Sequence, residues 1–439
     1  MEFSKGLFIL GSAASVLGLT LVVGMHAAVK ETRLFHTVWG ALDNTKTLYE
    51  ELPNLRGTRP IHFLRPAIYP GDGVTMNAKG AKADDLLLLS GFFKDDNKVR
   101  LIRRDGTVLR EWVIRAHALF GDTSFFRDPP VTDWNAITHG TIATPEGDIV
   151  LSFESGGMVR LDRCGKVKWT SDAITHHSPN WLADGGIVVS GGRYVDLPDS
   201  EIPWPFKGPY WEDLVFKFDA DGKKTFEKAL TTLFIENGLE GWLTSTGSFG
   251  TRVNGEFHLN EVEELSPQMA ADFPMFQAGD LLISLRNRNM ILVTDAEVKR
   301  IKWWKVGPWL RQHDPDFEAG GKITVFDNHS DDSPTGEHAG GSRIWAVDPA
   351  TDIATSLYGG RDGQRMYSPE RGTHQRQPDG NILITEAQQG RAFEVTPQGE
   401  TVWEYVNRYD ADTVAWLHDA ETYDPTFFTV TDWSCPTPE

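Results

Sequence analysis

Short runs of branched apolar residues, polar only at their edges, recur along the chain after residue 70. They are "LLLLS" from Leu86, "IVLSF" from Ile149, "IVVS" from Ile187, "LLIS" from Leu281, "ITVF" from Ile323 and "ILIT" from Ile382. Unbroken apolar runs this short, bounded by Gly, Asp and Asn, predict buried strands. Each is followed by a second strand that leads into a turn: "VRLIRRDGTVLREW" from Val99, "VRLDRCGKVKW" from Val159, "VFKFDADGKKTF" from Val215, "ILVTDAEVKRIKW" from Ile291, "IWAVDPATDIATSL" from Ile344 and "AFEVTPQGETVWEY" from Ala392. The turn positions fall at Gly106, Gly165, Gly222, Val298, Thr351 and Gly399. Glycine suits a tight connection that needs positive φ, and in several copies the strand after it ends on Trp112, Trp169, Trp303 or Trp403.

Units of about 50 to 60 residues, each able to supply three or four antiparallel strands, predict an all-β, six-bladed β-propeller over residues 71–439. No long helical pattern separates the strands, which argues against an α/β scheme, and a sandwich would not need this period. The repeated tryptophans read as packing between blades.

Upstream the pattern changes. From Leu7 to Gly24 the chain is uncharged and mostly apolar, long enough to cross most of a bilayer. Residues 1–27 therefore read as an uncleaved signal anchor rather than a removed signal peptide, since "GMHAAV" makes a poor cleavage site. The flanking Lys5, Lys30 and Arg33 leave the orientation open. Residues 28–70 read as a stalk: an amphipathic helix with Leu34, Val38, Leu42 and Leu48 near one face, then a passage carrying Pro53, Pro60, Pro66 and Pro70. The expectation is a transmembrane and amphipathic helical segment ahead of the propeller, with room for a membrane-protein partner.

Composition narrows the partners. The 439 residues carry a net charge of −19 and no concentrated basic run, which excludes a general nucleic-acid binder. Cys164 and Cys435 lack metal-ligand spacing; far apart in sequence, they read as two separate thiols, with a mutual bridge as the alternative if the chain is extracytoplasmic.

The propeller reading gives the histidines a common address. Innermost strands line a propeller's central channel, and ahead of the central strand of their units stand His139, His176 and His177, His258, His313 and His374. The first unit has no such histidine. A single histidine at a strand start is ordinarily a hydrogen-bonded structural group; recurrence at a comparable phase points to a functional cluster. Such a ring can bind metal, act as nucleophile and general acid or base, or satisfy backbone groups. Asp314 and Glu261 are the adjacent carboxylates for a metal, which ranks below nucleophilic chemistry, so neither metal nor cofactor is expected.

In order, "FHLN", "DLLISLRNRNMILVTD", "RQHDP", "ITVFDNHS", "SRIWAVD", "GTHQRQPDGNILITE" and "GRAFEVTPQGETVWEY" resemble the arylsulfotransferase family, in particular its shorter branch. The resemblance covers 257–407 and reaches more weakly back to about 137. It implies a six-bladed propeller on the extracytoplasmic side of a bacterial membrane; joined to the anchor read from Leu7 to Gly24, the expectation is a single-pass protein of the bacterial inner membrane with its propeller in the periplasm. The resemblance also implies sulfuryl transfer from a phenolic sulfate ester to a phenol through a sulfated histidine, without a nucleotide donor; the absence of a "GxxxxGK" loop agrees. Residue by residue it implies His258 with Asn260, His313 after Gln312, Ser284 and Arg286, and Asn328 after Phe326 and Asp327. The larger branch places an arginine soon after F-D-N, whereas this chain reaches Arg343 only after "HSDDSPTGEHAGG". His374, late in the chain, is the expected sulfated residue.

The chemistry is self-consistent. A neutral imidazole attacks the sulfur while Arg286, Arg343 and the remaining histidines, His139 and His177 among them, receive the developing negative charge. His258 and His313 exchange acid and base roles. The aromatic stretch "LPDSEIPWPFKGPYWED", with Trp204, Phe206, Tyr210 and Trp211, supplies a greasy entrance for aryl groups or else plugs itself. Two other readings compete: a quinone-cofactor dehydrogenase, disfavoured by six units, and a non-catalytic membrane-tethered scaffold or interaction subunit.

Overall fold

A computed structural model describes residues 17–28, 38, 42, 45–46, 49, 52–78, 84–197, 206, 210–243 and 257–435. The chain divides into two units, Met1–His62 and Phe63–Glu439. In the first, residues 17–28 are helical with mostly exposed side chains, and 52–55 form a helical turn. No helix of the described residues is long and apolar enough to cross a membrane. The expected apolar span falls largely on 1–16, outside the described residues, as do Lys5, Lys30, Arg33, Leu34 and Leu48; Val38 and Leu42 are helical and exposed.

The second unit is mostly β and propeller-like, built from antiparallel meanders. An eight-stranded sheet consists of two of them, Thr138–Ala143 to Val167–Thr175 and Asn180–Trp181 to Lys224–Ala229, joined at the single pair Gly191↔Thr175. Four-stranded sheets follow, from Leu259–Glu264 to Ile301–Val306 and from His313–Glu318 to Ile353–Gly359. The next sheet runs from Thr373–Arg376 to Thr401–Val406 and adds Gly73–Asn77 at its outer edge. In the last, Leu86–Phe93, Asp96–Arg103 and Val108–Ile114 receive their inner strand from the far end of the chain, Leu417–Tyr423. The apolar runs read from the sequence are the buried second strands of these meanders.

Alternation along each strand decides which neighbour a side chain meets. Leu86 and Leu88 pack with Ile149, Leu151 and Val159 of the following meander, whereas Leu87 and Leu89 pack with Leu383, Ala392 and Trp403 of the sheet on the other side. Similar apolar clusters lie between Ile142 and Ile187, Val188 and Ile283, Ile291 and Val325, and Phe326 and Ile384.

The tryptophans lock these layers together. Each indole N–H donates to the turn of the next meander: Trp112 to the Asp162 carbonyl at 3.0 Å, Trp169 to Ala220 at 3.1 Å, Trp303 to the Asp352 carboxylate at 2.9 Å, and Trp403 to Arg104 at 2.9 Å. Gly106, Gly165, Gly222 and Gly399 have positive φ, as does Val298. In the remaining turn the left-handed residue is Asp352, one beyond the expected Thr351.

Cys164 and Cys435 form a disulfide, with Cα atoms 5.6 Å apart. This corrects the expectation of two separate thiols. The C-terminal segment returns past the second meander, where Arg163 donates to the Asp432 carbonyl at 2.5 Å and Trp433 meets Trp112 edge-on.

Candidate functional site

Most inner strands open on an irregularity, and that is where the histidines sit. The pairing register shifts between Thr138 and Thr141, Leu259 and Glu261, His313 and Pro315, and Leu417 and Asp419. A bulge bends the strand and re-aims a side chain. His177 and His258 also hold positive φ, 62° and 49°, unusual for residues other than glycine. Around His258 the strain is held by Asp213, whose carboxylate accepts the backbone N–H of Phe257 at 3.2 Å and of Leu259 at 3.4 Å.

Five imidazoles from four meanders meet. Ring centroids are 4.3 Å apart for His139 and His177, 5.0 Å for His176 and His177, 5.2 Å for His177 and His258, 5.5 Å for His177 and His313, and 6.2 Å for His176 and His258. His139, His176, His177 and His313 are buried; His258 is partly accessible. Burial, then the charges of Arg371 for His139 and of Arg286 for His258 and His313, pushes these imidazoles toward the neutral form. His176 and His313 fall to about 3, and His139, His177 and His258 lie well below the ordinary histidine value.

His313 is the most closely defined. Its Nδ1 lies 2.6 Å from Asn328 Oδ1. Asn328 is oriented by its own Nδ2, which donates to the Ser368 and Arg371 carbonyls at 2.6 and 2.8 Å. The oxygen therefore accepts, Nδ1 of His313 carries the proton, and Nε2 keeps its lone pair. That Nε2 is buried without a hydrogen-bond partner among the described residues.

Other expected site residues are placed differently. Asn260 donates from Nδ2 to the Gln312 carbonyl at 2.6 Å and so ties the segment after His258 to the one before His313. Gln312 is held by Ser284 Oγ at 2.9 Å and the Met290 carbonyl at 3.0 Å. Asn328 thus orients the His313 imidazole, and Asn260 fixes the segments that carry His258 and His313. Arg286 is partly buried in the turn Arg286–Arg288, where its backbone N–H bonds the His258 carbonyl at 3.1 Å.

Arg343 does not join the cluster. It opens the third strand of its meander, away from the inner strand, and its Nη2 donates to the Ala339 carbonyl at 3.2 Å. Arg371 does reach the imidazoles, alongside Arg286. It lies 3.4 Å from His418 Nδ1, donates to the Thr138 carbonyl at 3.2 Å, pairs with Glu154, and acts electrostatically on His139 and His313.

His374 is a second correction. Its strand, Thr373–Arg376, pairs in straight register without a bulge, so the ring enters a different layer. There Asp314 Oδ2 accepts its backbone N–H at 2.5 Å and its Nδ1 at 2.9 Å, and Asp316 Oδ2 lies 3.5 Å from Nε2. These groups line a cavity of about 260 Å³ with Glu263, Glu318, Asp419 and Glu421. Burial raises Asp316 and Glu261 well above the carboxylate range, Glu263 and Glu421 to about 8, and Asp419 to about 6; neighbouring negative charge adds to each.

The sequence reading missed Arg371 and His418. His418 fills the position thought to lack a histidine, because the first meander's inner strand comes from the C-terminal end. Its signal was "LHDAE", which repeats the His-Asp order of "QHDPD". The aromatic stretch partly fills itself: Phe206 stacks on Tyr210 at 4.8 Å and both join the core. Trp211 is buried under the Arg127 guanidinium, 4.4 Å from its ring, beside the exposed Tyr194 at 5.1 Å. Trp204 lies outside the described residues.

The sequence model of the family described as Arylsulfotransferase (ASST) matches residues 140–408. No curated protein matches the chain. Among solved structures, it is similar to a protein of unknown function from Bacteroides caccae, at 12% identity and TM-score 0.48, covering 77% of this chain and 98% of that one. A catalytically inactive virginiamycin B lyase from Staphylococcus aureus with quinupristin matches at 11% identity and TM-score 0.35, covering 62% of this chain and 71% of that one.

Proposed function

The chain belongs to the arylsulfotransferase family, and from that premise we propose that it moves a sulfuryl group from an aryl sulfate to a phenol through His313. The observation that carries this reading is the His313 side chain, with Nδ1–H committed to Asn328 and Nε2 unpartnered among other neutral imidazoles. In the first half-reaction Nε2 forms the N–S bond as the ester S–O bond breaks, and the aryl oxygen leaves as a phenolate. Arg371 and Arg286 offset charge on the sulfuryl oxygens and the phenolate. In the second, the acceptor phenol gives its proton to neutral His258 while its oxygen takes the sulfuryl group and Nε2 is released; the proton then passes to the departed phenolate or to water. Partial exposure of His258 and Arg286 makes their side the substrate mouth, and Arg127 with Trp211 and Tyr194 a platform for an aryl ring.

The same proposal takes the meanders as six blades closed around one axis, with the eight-stranded sheet counting as two. It places the chain in a bacterial inner membrane, single-pass, with the propeller in the periplasm. The disulfide supports an oxidising compartment, and the apolar run from Leu7 to Gly24 supports an anchor.

The test is a chromogenic phenyl sulfate incubated with the full-length protein, with and without an added phenol. Turnover should require the acceptor, and intact mass should show one sulfuryl group on the wild type and none on His313→Ala. His258→Ala should lower turnover at least about 100-fold, the size of an ordinary general acid or base contribution. Silence across many donors, or undiminished turnover in His313→Ala, would overturn the reading in favour of a tethered scaffold.

A further inference from the structure

One residue past His313, the chemistry of the channel changes sign. The bulge gives Asp314 a φ of +49°, which turns its carboxylate toward the neighbouring inner strand and onto His374. Asp314 Oδ2 accepts from both the backbone N–H and Nδ1 of that residue. Nδ1 is thus committed to Asp314, and Nε2 points the other way.

That nitrogen has nothing suitable to meet. The His374 side chain is fully buried, and Nε2 has no hydrogen-bond partner among the described residues. Its neighbour is Asp316 Oδ2 at 3.5 Å, so Nε2 faces a carboxylate oxygen at a separation too long for a hydrogen bond. Two ligands each about 2.0 to 2.2 Å from one cation, at a near-tetrahedral angle, are about 3.3 to 3.6 Å apart. One donor atom from each of Asp314, Asp316 and His374 lies within 4.8 Å of the others. The Asp314 contact to Nδ1 is the carboxylate–histidine arrangement that orients a metal-ligating imidazole and makes it more basic.

The surroundings are built for positive charge. Glu263, Glu318, Asp419 and Glu421 line the same cavity, against Arg376 as the basic side chain among its lining residues. Thr373 holds Asp419 at 2.8 Å, and Asn180 donates to Glu261.

We propose that His374 Nε2 and Asp316, with the other carboxylates of the cavity, hold a divalent transition cation of the zinc or manganese type, while Asp314 orients the imidazole through Nδ1. One imidazole among carboxylates selects this class over calcium or magnesium, which favour all-oxygen sites. The cation joins the inner strands His313–Glu318 and Thr373–Arg376 one residue from the imidazole cluster. The inference does not depend on sulfuryl transfer, and its readout is metal content.

Full-length protein stripped with a chelator and dialysed against Zn²⁺, Mn²⁺ or Ca²⁺ should retain one equivalent of Zn²⁺ or Mn²⁺ by elemental analysis, and little Ca²⁺. Asp316→Asn and His374→Gln should each weaken that binding at least about 100-fold, while Asp331→Asn, at a loop acid outside this cavity, should leave it unchanged. Circular dichroism of both variants confirms that the comparison is between folded proteins, and Asp316→Asn serves if His374→Gln fails to fold. Three outcomes would overturn the proposal: no stoichiometric uptake of any of the three ions, uptake indifferent to both substitutions, or preference for Ca²⁺.

Discussion

At the scale of the residue, the central imidazoles trade solvation for position. His139, His176, His177 and His313 are buried, and burial first, with neighbouring positive charge after it, drives each toward its neutral form. Neutrality is what a nucleophile and a base need, and it has a cost in stability. An imidazole lowered on folding is neutral in both states above its unfolded value of about 6.5, so it contributes nothing there. Below about 6.5 the unfolded chain takes up a proton that folded His176 refuses until about 3, so stability falls with pH across that window. Each such group adds a slope of up to about 1.4 kcal/mol per pH unit. His176→Gln should remove one such contribution. Comparing urea unfolding of wild type and variant from pH 7.5 to 4.5 cancels the opposing effect of the buried carboxylates, whose raised values favour the fold as pH drops. Parallel curves for the two proteins would refute the assignment.

At the scale of the element, a strand's position in its meander decides what its residues do. Inner strands carry the clustered histidines beside bulges or at positive φ, and the outermost strands carry cohesion through their tryptophans. Trp303 donates across to Asp352, the left-handed residue of the next turn. Replacing it with Phe removes that bond and part of the packing, and should lower stability by about 1 to 2 kcal/mol. Turnover of a phenyl sulfate should be unchanged, since Trp303 lies on the strand farthest from the imidazoles; a parallel loss of turnover would show that the indole does more than pack. The second strands and their turns were legible beforehand, because an apolar run, a glycine and a tryptophan are local signals. His374 was misjudged for the same reason. Its distance from the next strand resembles that of the other histidines, but without a bulge the register delivers it to the carboxylate layer.

At the scale of the whole molecule, both ends of the second unit are drafted into closure. Leu417–Tyr423 completes the sheet begun by Leu86–Phe93, and Gly73–Asn77 extends the sheet ending at Thr401–Val406. The Cys164–Cys435 bridge then closes a sequence separation of 271. A crosslink over so long a loop stabilises by about 2 to 5 kcal/mol, chiefly by restricting the unfolded chain. Cys164→Ser combined with Cys435→Ser should lower the denaturant midpoint accordingly, and reduction of the wild type should give the same value; no change in either would mean that the tail contributes nothing to the folded state.

What the sequence by itself determined is everything written in local pattern: a mostly β body, repeated meanders, the layers joined by tryptophan, and the family that the ordered motifs resemble. What only the tertiary structure decided is which separated residues share a space. His418 and Arg371 join the central cluster, Arg343 does not, His374 belongs with Asp314 and Asp316, and Cys164 meets Cys435. The physical reason is that strand periodicity fixes alternation along a strand, whereas one bulged residue, or a strand borrowed from the far end of the chain, resets which face looks inward. Such resets are set by pairing across hundreds of residues, and no local run of amino acids records them.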